Sequence, residues 1–314
     1  MTARRLFERA GPLLGLLFVS IIFGSLIGPR FFSGANLELI ARQTAIVCTA
    51  ALGMTMVIVS AGIDLSVGSV VALTTVAIAV LLRAEVGPGA AALGGIAAAA
   101  LCGMANGILI TGLRVIPFIV TLGMMILLRG AAKGLADERR LEAPHTWLNE
   151  LLRTLDPESA MIAPAGIWIV AALALLVAGT LNYTRFGRHL FTIGSNERTA
   201  RLCGIAVDRT KIGVYTAAGA LAGVAGLLQF SRLSVGDPTV AFGLELDVIA
   251  AVIIGGGSLA GGRGSVSGTI LGACTMAIIE IGCSQHGLAN WIQEIVTGAI
   301  IVLAVALDRW RSRV

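Results

Sequence analysis

Long apolar runs dominate this chain, and polar residues are confined to the short stretches between them. A bilayer core takes about 20 apolar residues in helical form. Ten such segments can be drawn: 10–28, 38–61, 65–82, 90–112, 115–132, 160–181, 212–231, 246–260, 265–283 and 290–307. The pattern predicts an all-α fold, a polytopic membrane protein of about ten transmembrane helices forming one domain over residues 1–314. Alternating the sides puts both termini in the cytoplasm, makes 133–159 an external loop and makes 182–211 a cytoplasmic connection.

Three places interrupt the helical pattern. The first is "GIDLSVGS" at 62–69, where Asp64 stands between two oily runs. The second is "IIGGGSLAGGRGSVSG" at 253–268, too rich in glycine to stay a regular helix. Both read as apolar run, polar turn, apolar run, a weak internal repeat. The third is the charged stretch 186–211. Within it Ser195 suits an N-cap, Glu197 a first turn and Gly204 a C′ position, which predicts a short surface helix at about 196–203.

Composition agrees with the spans. Charged residues make up 13% of the chain, apolar residues 56%, and the mean hydropathy is +0.90; a soluble domain carries roughly 25% charged residues. The 40 glycines suit closely packed membrane helices. Of the 23 basic residues, fourteen fall on the assigned inner side, from Arg4, Arg5 and Arg9 through 185–211 to Arg309, Arg311 and Arg313. That bias sets the orientation. No small-x-small cleavage site follows the first apolar run, so it is expected to remain as an uncleaved first helix. The basic residues are not interleaved with stacking aromatics, which argues against nucleic acid as a partner.

Candidate chemistry is sparse. The five cysteines form no C-x-x-C pair, and with three scattered histidines no metal site is expected. No G-K-[ST] follows the glycines at 255–264, so ATP, if used, must be bound by another chain. Asp64 has two readings. It is either a solute or proton site on a translocation path, the default for an intramembrane carboxylate, or a cap that accepts freed N–H groups together with Ser66. Glu280 and Glu294 lie near outer ends of spans and read as solvated carboxylates. Asn106, between Gly103 and Gly107, reads as an interhelical hydrogen-bonding group. The run 219–226 reads as a packing face.

Four stretches carry a resemblance: "GMTMVIVSAGIDLSVGSVVAL" (53–73), "VIPFIVTLGMMILLRG" (115–130), "TIGSNERTARLCGI" (192–205) and "LDVIAAVIIGGGSLAGGRGSVSGTILGA" (246–273). In this order they resemble the permease subunits of bacterial ABC sugar importers of the ribose/xylose-type branch, which is related to the branched-chain amino acid permeases. The likeness covers roughly residues 40–305. It implies a multi-pass protein of the bacterial inner membrane that imports a monosaccharide. It also implies a second permease copy, identical or not, a periplasmic sugar-binding protein, and a cytoplasmic ABC ATPase subunit. Of these only the ATPase would hold a cofactor, ATP with Mg. By the same likeness Ser195, Asn196, Glu197, Arg198, Arg201 and Gly204 form the segment that docks on the ATPase; Cys203 stands where relatives often have serine. Asp64, Ser66, Gly68, Ser69, Asn106, Gly256, Gly257 and Ser258 are the candidates for a translocation path or helix break. The rival reading is an ion-coupled secondary transporter, for which Asp64 is the one candidate ion site.

Overall fold

The computed structural model describes residues 3–155 and 162–313; the end of the expected external loop (156–159) and the start of the 160–181 segment lie outside them. The chain folds into α1 (Ala3–Ile27), α2 (Gly34–Val59), α3 (Val67–Arg83), α4 (Pro88–Leu113), α5 (Pro117–Leu135) and α6 (Ala165–Tyr183). The short helices α7 (Arg185–Ser195) and α8 (Glu197–Leu202) follow, then α9 (Val207–Leu233), α10 (Leu244–Ile254), α11 (Val266–Gln285) and α12 (Asn290–Arg313). Two short strands, β1 (Leu141–Glu142) and β2 (Val235–Gly236), pair antiparallel with Leu141 opposite Gly236.

Among the described residues, 7 helices are long and apolar enough to cross a membrane; α3 and the apolar part of α12 are shorter. Every predicted span coincides with a helix, but the 246–260 segment is not a span of its own. Its helix α10 has 11 residues, about 16 Å at 1.5 Å per residue, against a core of about 30 Å. It stops at Ile254 because Gly256, at φ +89°, takes the left-handed position of a Schellman cap. The Gly257 N–H donates to the Val252 carbonyl at 2.8 Å and the Gly256 N–H to the Ile253 carbonyl at 2.9 Å.

The residues between α9 and α10 are non-helical, the short strand β2 being followed by turns over 238–243. After α9 the chain runs along α3 from Ala79, which Gly236 abuts, to Gly68, which abuts Ala241 and Glu245. The Asp237 N–H donates to Thr75 Oγ1 at 3.1 Å on the way. Arg129, inside α5, donates from Nη1 to the carbonyls of Pro238 and Val240 at 3.0 and 2.6 Å. Non-helical backbone at such depth persists only where protein groups satisfy it, and these bonds do so.

Helix α2 is the axis of the fold: 83% of its most apolar window is buried, against α6, α9, α10 and α11. Helices α4 and α9 meet along small residues. A Cβ on Gly103 would strike the Tyr215 carbonyl, and one on Gly219 would strike Ala99. The 219–226 run is therefore a packing face, with Gly223 against Ile96 and Gly226 against Thr74. Small residues let two helix backbones gain dispersion contacts that lipid tails cannot match.

Candidate functional site

Helix α2 ends on the same cap geometry as α10. Ala61 takes the left-handed position at φ +58°, where glycine is usual, and the Gly62 N–H donates to the Val57 carbonyl at 2.9 Å. The chain then runs without regular structure to Ser66, and α3 starts at Val67. Asp64 is 3% exposed, and its Oδ1 accepts the Ser66 N–H at 2.9 Å and the Ser66 hydroxyl at 2.6 Å. Asn106, from α4, donates Nδ2 to Ser66 Oγ at 2.9 Å. The Ile63 carbonyl accepts Tyr215 OH and Thr121 Oγ1, both at 3.3 Å.

Asp64 thus braces the turn that leads into α3. The N-cap residue of α3 is Ser66, whose side chain makes no capping bond; Asp64 pairs the Ser66 N–H one step earlier and holds the serine hydroxyl toward Asn106. Ser69 is also buried here, and Ser69 Oγ, Asn106 Oδ1 and Glu245 Oε2 have no hydrogen-bond partner. Gly68 lies on a different side of α3, where it leaves room for the Glu245 carboxylate.

The second break, 255–265, holds Gly256, Gly257 and Ser258. The Ser258 N–H donates to the Arg263 carbonyl at 3.1 Å and the Gly261 N–H to the Ser258 carbonyl at 2.9 Å, which folds the glycines into a compact turn. This turn touches the first break at the end of α2: the Gly262 N–H donates to the Val59 carbonyl at 2.9 Å, and Gly261 packs on Ala61.

The charged connection reaches the same point. Thr184 caps α7 by accepting the Gly187 N–H at 3.1 Å, and α7 runs until Gly194 abuts the Val59 carbonyl and Gly262. The sequence reading is corrected here. Ser195 is the last residue of α7, and the N-cap of α8 is Asn196, whose Oδ1 accepts the Thr199 N–H at 3.0 Å. Because Thr192 already accepts the Asn196 N–H at 3.0 Å, one residue links the two helices and closes both. Gly204, at φ +80°, is the C′ residue as expected, with the Ile205 N–H donating to the Ala200 carbonyl at 3.1 Å.

Helix α8 is fixed from two sides. Ile193, Ala200 and Val207 form a small buried core beneath it, with Ile205 against them. Glu197 bonds Arg201 at 3.1 Å and Lys211 at 2.7 Å, while Arg201 reaches Asp208 at 2.5 Å. Partial burial pushes the Glu197 carboxyl up, but its hydrogen bonds and charge contacts with Lys211 and Arg201 outweigh this and hold it below its ordinary value. Glu197 and Arg201 are therefore engaged within the chain. Arg198 and Leu202 are exposed, and Leu202 is 89% exposed, an unusual position for a leucine on a fixed helix.

Arg129, Glu245 and Tyr215 were missed by the sequence reading. An arginine as the one charged residue of the predicted span 115–132 was the signal for the first. Glu245 lies one residue before the 246–260 segment and so passed as a loop residue. Nothing local marks Tyr215, whose partner Ile63 is 152 positions away.

The bundle, with 7 helices long and apolar enough to cross a membrane among the described residues, is that of a polytopic α-helical membrane protein. Residues 36–305 match the family described as "Branched-chain amino acid transport system / permease component", and the chain belongs to it. It is 38% identical to the ribose import permease protein RbsC of Escherichia coli (strain K12) over 98% of this chain and 97% of that protein. It is 37% identical to RbsC of Bacillus subtilis (strain 168), over 97% and 94%. The fructose import permease protein FrcC of Rhizobium meliloti is 33% identical, over 97% and 86%. No solved structure matches the chain.

Proposed function

We propose that this chain is the transmembrane permease subunit of an ATP-driven importer that carries a monosaccharide into the bacterial cytoplasm. The end of the bundle bearing α8 faces the cytoplasm, the 133–159 side faces outward, and both termini lie inside, as the distribution of basic residues argues. The chain crosses the membrane ten times when α10 and the non-helical stretch before it are taken as one traverse. An ABC ATPase subunit, which binds ATP and Mg, docks on α8; a periplasmic sugar-binding protein delivers solute, and a second permease copy completes the channel.

One observation carries this reading: the α7–α8 hairpin ends on the Val59 carbonyl, where both helix breaks meet. A displacement of α8 by a moving partner passes through one contact into α2 and into the α10–α11 turn. The sugar class rests on the relatives, named as ribose and fructose import permeases. The test is uptake of labelled D-ribose, D-xylose and D-fructose into vesicles holding the chain with its neighbouring ATPase and binding protein. Uptake that needs ATP and the binding protein is expected. Uptake driven by an ion gradient without ATP would replace this reading with a secondary transporter.

A further inference from the structure

At the end of the bundle remote from α8, polar groups of three helices are joined on an open face. Gln43 Nε2 donates to Glu280 Oε2 at 2.7 Å, and the Gln43 carbonyl oxygen accepts the Arg232 guanidinium. Arginine and glutamate thus form a neutral pair bridged by an amide across α9, α2 and α11. A cavity of about 310 Å³ opens beside them, lined also by Ser284, Asn290 and Gln293. That volume is at the lower end of ordinary small-ligand pockets, about 300–1,000 Å³.

Gln43 lies well inside the apolar helix α2, and Glu280 lies inside α11 rather than beyond its end. Ionised groups at such positions face water or protein, because lipid does not solvate them. The sequence reading of Glu280 as merely solvated omits its bond to Gln43, which orders the carboxylate.

We propose that Gln43, Arg232 and Glu280 form a contact site for the hydroxyl groups of a monosaccharide on its way through the protein. The proposal rests on the sugar-import reading above and adds the place of contact. A sugar offers hydroxyls that both donate and accept, and no charge. The two oxygens of the Glu280 carboxylate accept a pair of vicinal hydroxyls, while the guanidinium and amide donate to the remaining oxygens. Without sugar the Arg232–Gln43–Glu280 chain satisfies itself, so sugar exchanges bonds with it rather than filling open ones. Contact of this kind admits a solute and also releases it, which conduction requires.

The experiment uses the complete transporter in vesicles, with Cys203→Ser to remove the exposed native thiol and Ser284→Cys placed at the cavity wall. A membrane-impermeant cationic methanethiosulfonate is applied from the side of Ser284, with and without whichever of D-ribose, D-xylose or D-fructose the vesicles take up. The sugar should slow modification several-fold, a non-transported sugar such as sucrose should not, and in Glu280→Gln the sugar should no longer slow modification relative to that variant's own sugar-free rate. Protection absent in a transporting preparation, or surviving in Glu280→Gln, would overturn the site and leave the importer reading standing. A thiol that never reacts would mean a second copy covers this face, which also overturns it. If no sugar is taken up at all, the importer reading fails and this site with it.

Discussion

Gly194, near the end of α7, lies directly against the carbonyl of Val59, the last residue of α2, with no room for a Cβ between them. That carbonyl also accepts the Gly262 N–H at 2.9 Å. One oxygen therefore joins the charged hairpin, the central helix and the glycine turn.

Gly194→Ala should disturb this junction more than its size suggests. The added methyl meets backbone, which cannot swing aside as a side chain would, and overpacking of this kind costs about 1–3 kcal/mol. The variant should insert and bind its ATPase, while the stimulation of ATP hydrolysis by sugar-loaded binding protein falls sharply. Ser195→Ala, one residue on and exposed, should leave stimulation near the parent value.

How much of this was legible beforehand depended on the range of the interaction. Apolar length located the helices, and the breaks at Asp64 and at 255–264 followed from local glycine content. The C′ role of Gly204 was equally local. The cap at Asn196 was displaced by one residue, because Ser195 and Asn196 both suit an N-cap and only the extent of α7 decides between them. Helix α10 was drawn too long because hydropathy does not register that Gly256 adopts a left-handed turn. The joining of the two breaks through Val59 depends on residues some 200 positions apart in the chain, about which periodicity carries no information.

Asp64→Asn should keep much of the transport and of the folded protein, since the amide oxygen can still accept the Ser66 N–H. Asp64→Leu leaves that buried N–H and the Ser66–Asn106 pair unsupported, a cost of about 1–3 kcal/mol, and should lower the yield of assembled protein. Detergent-solubilised thermal unfolding of the two variants separates the outcomes. Equal losses in both would assign the role to the charge instead of the cap.

Arg129→Met removes the donor to the Pro238 and Val240 carbonyls and the positive charge nearest Glu245. The non-helical stretch before α10 should loosen, so amide hydrogen exchange over 239–246 should quicken while α4 and α9 stay protected. Unchanged exchange there would show that the arginine does not hold the stretch.

The Glu197 cluster sets a pH dependence with a definite sign. A carboxyl held below its ordinary value stabilises the fold above its unfolded pKa, about 4.3, and that contribution disappears as pH falls through the depressed folded value. Protection of α8 amides, corrected for intrinsic exchange, should therefore hold from pH 7 to 5 and decline only at more acid pH. Lys211→Met, which removes a 2.7 Å partner, should move that decline to higher pH. A decline centred near pH 6 in the parent protein would contradict this origin.

Leu202 offers the most direct test of the account, because it is 89% exposed on a helix anchored through its other residues. Leu202→Asp alters no buried contact of this chain, so folding, insertion and the junction at Val59 should persist. The measurement is ATP hydrolysis by vesicles holding the complete transporter, with and without sugar-loaded binding protein. The account predicts that Leu202→Asp abolishes the stimulation and releases the ATPase subunit from the membrane. Full stimulation with the ATPase still bound would mean that α8 is a solvated surface and that force enters the permease elsewhere.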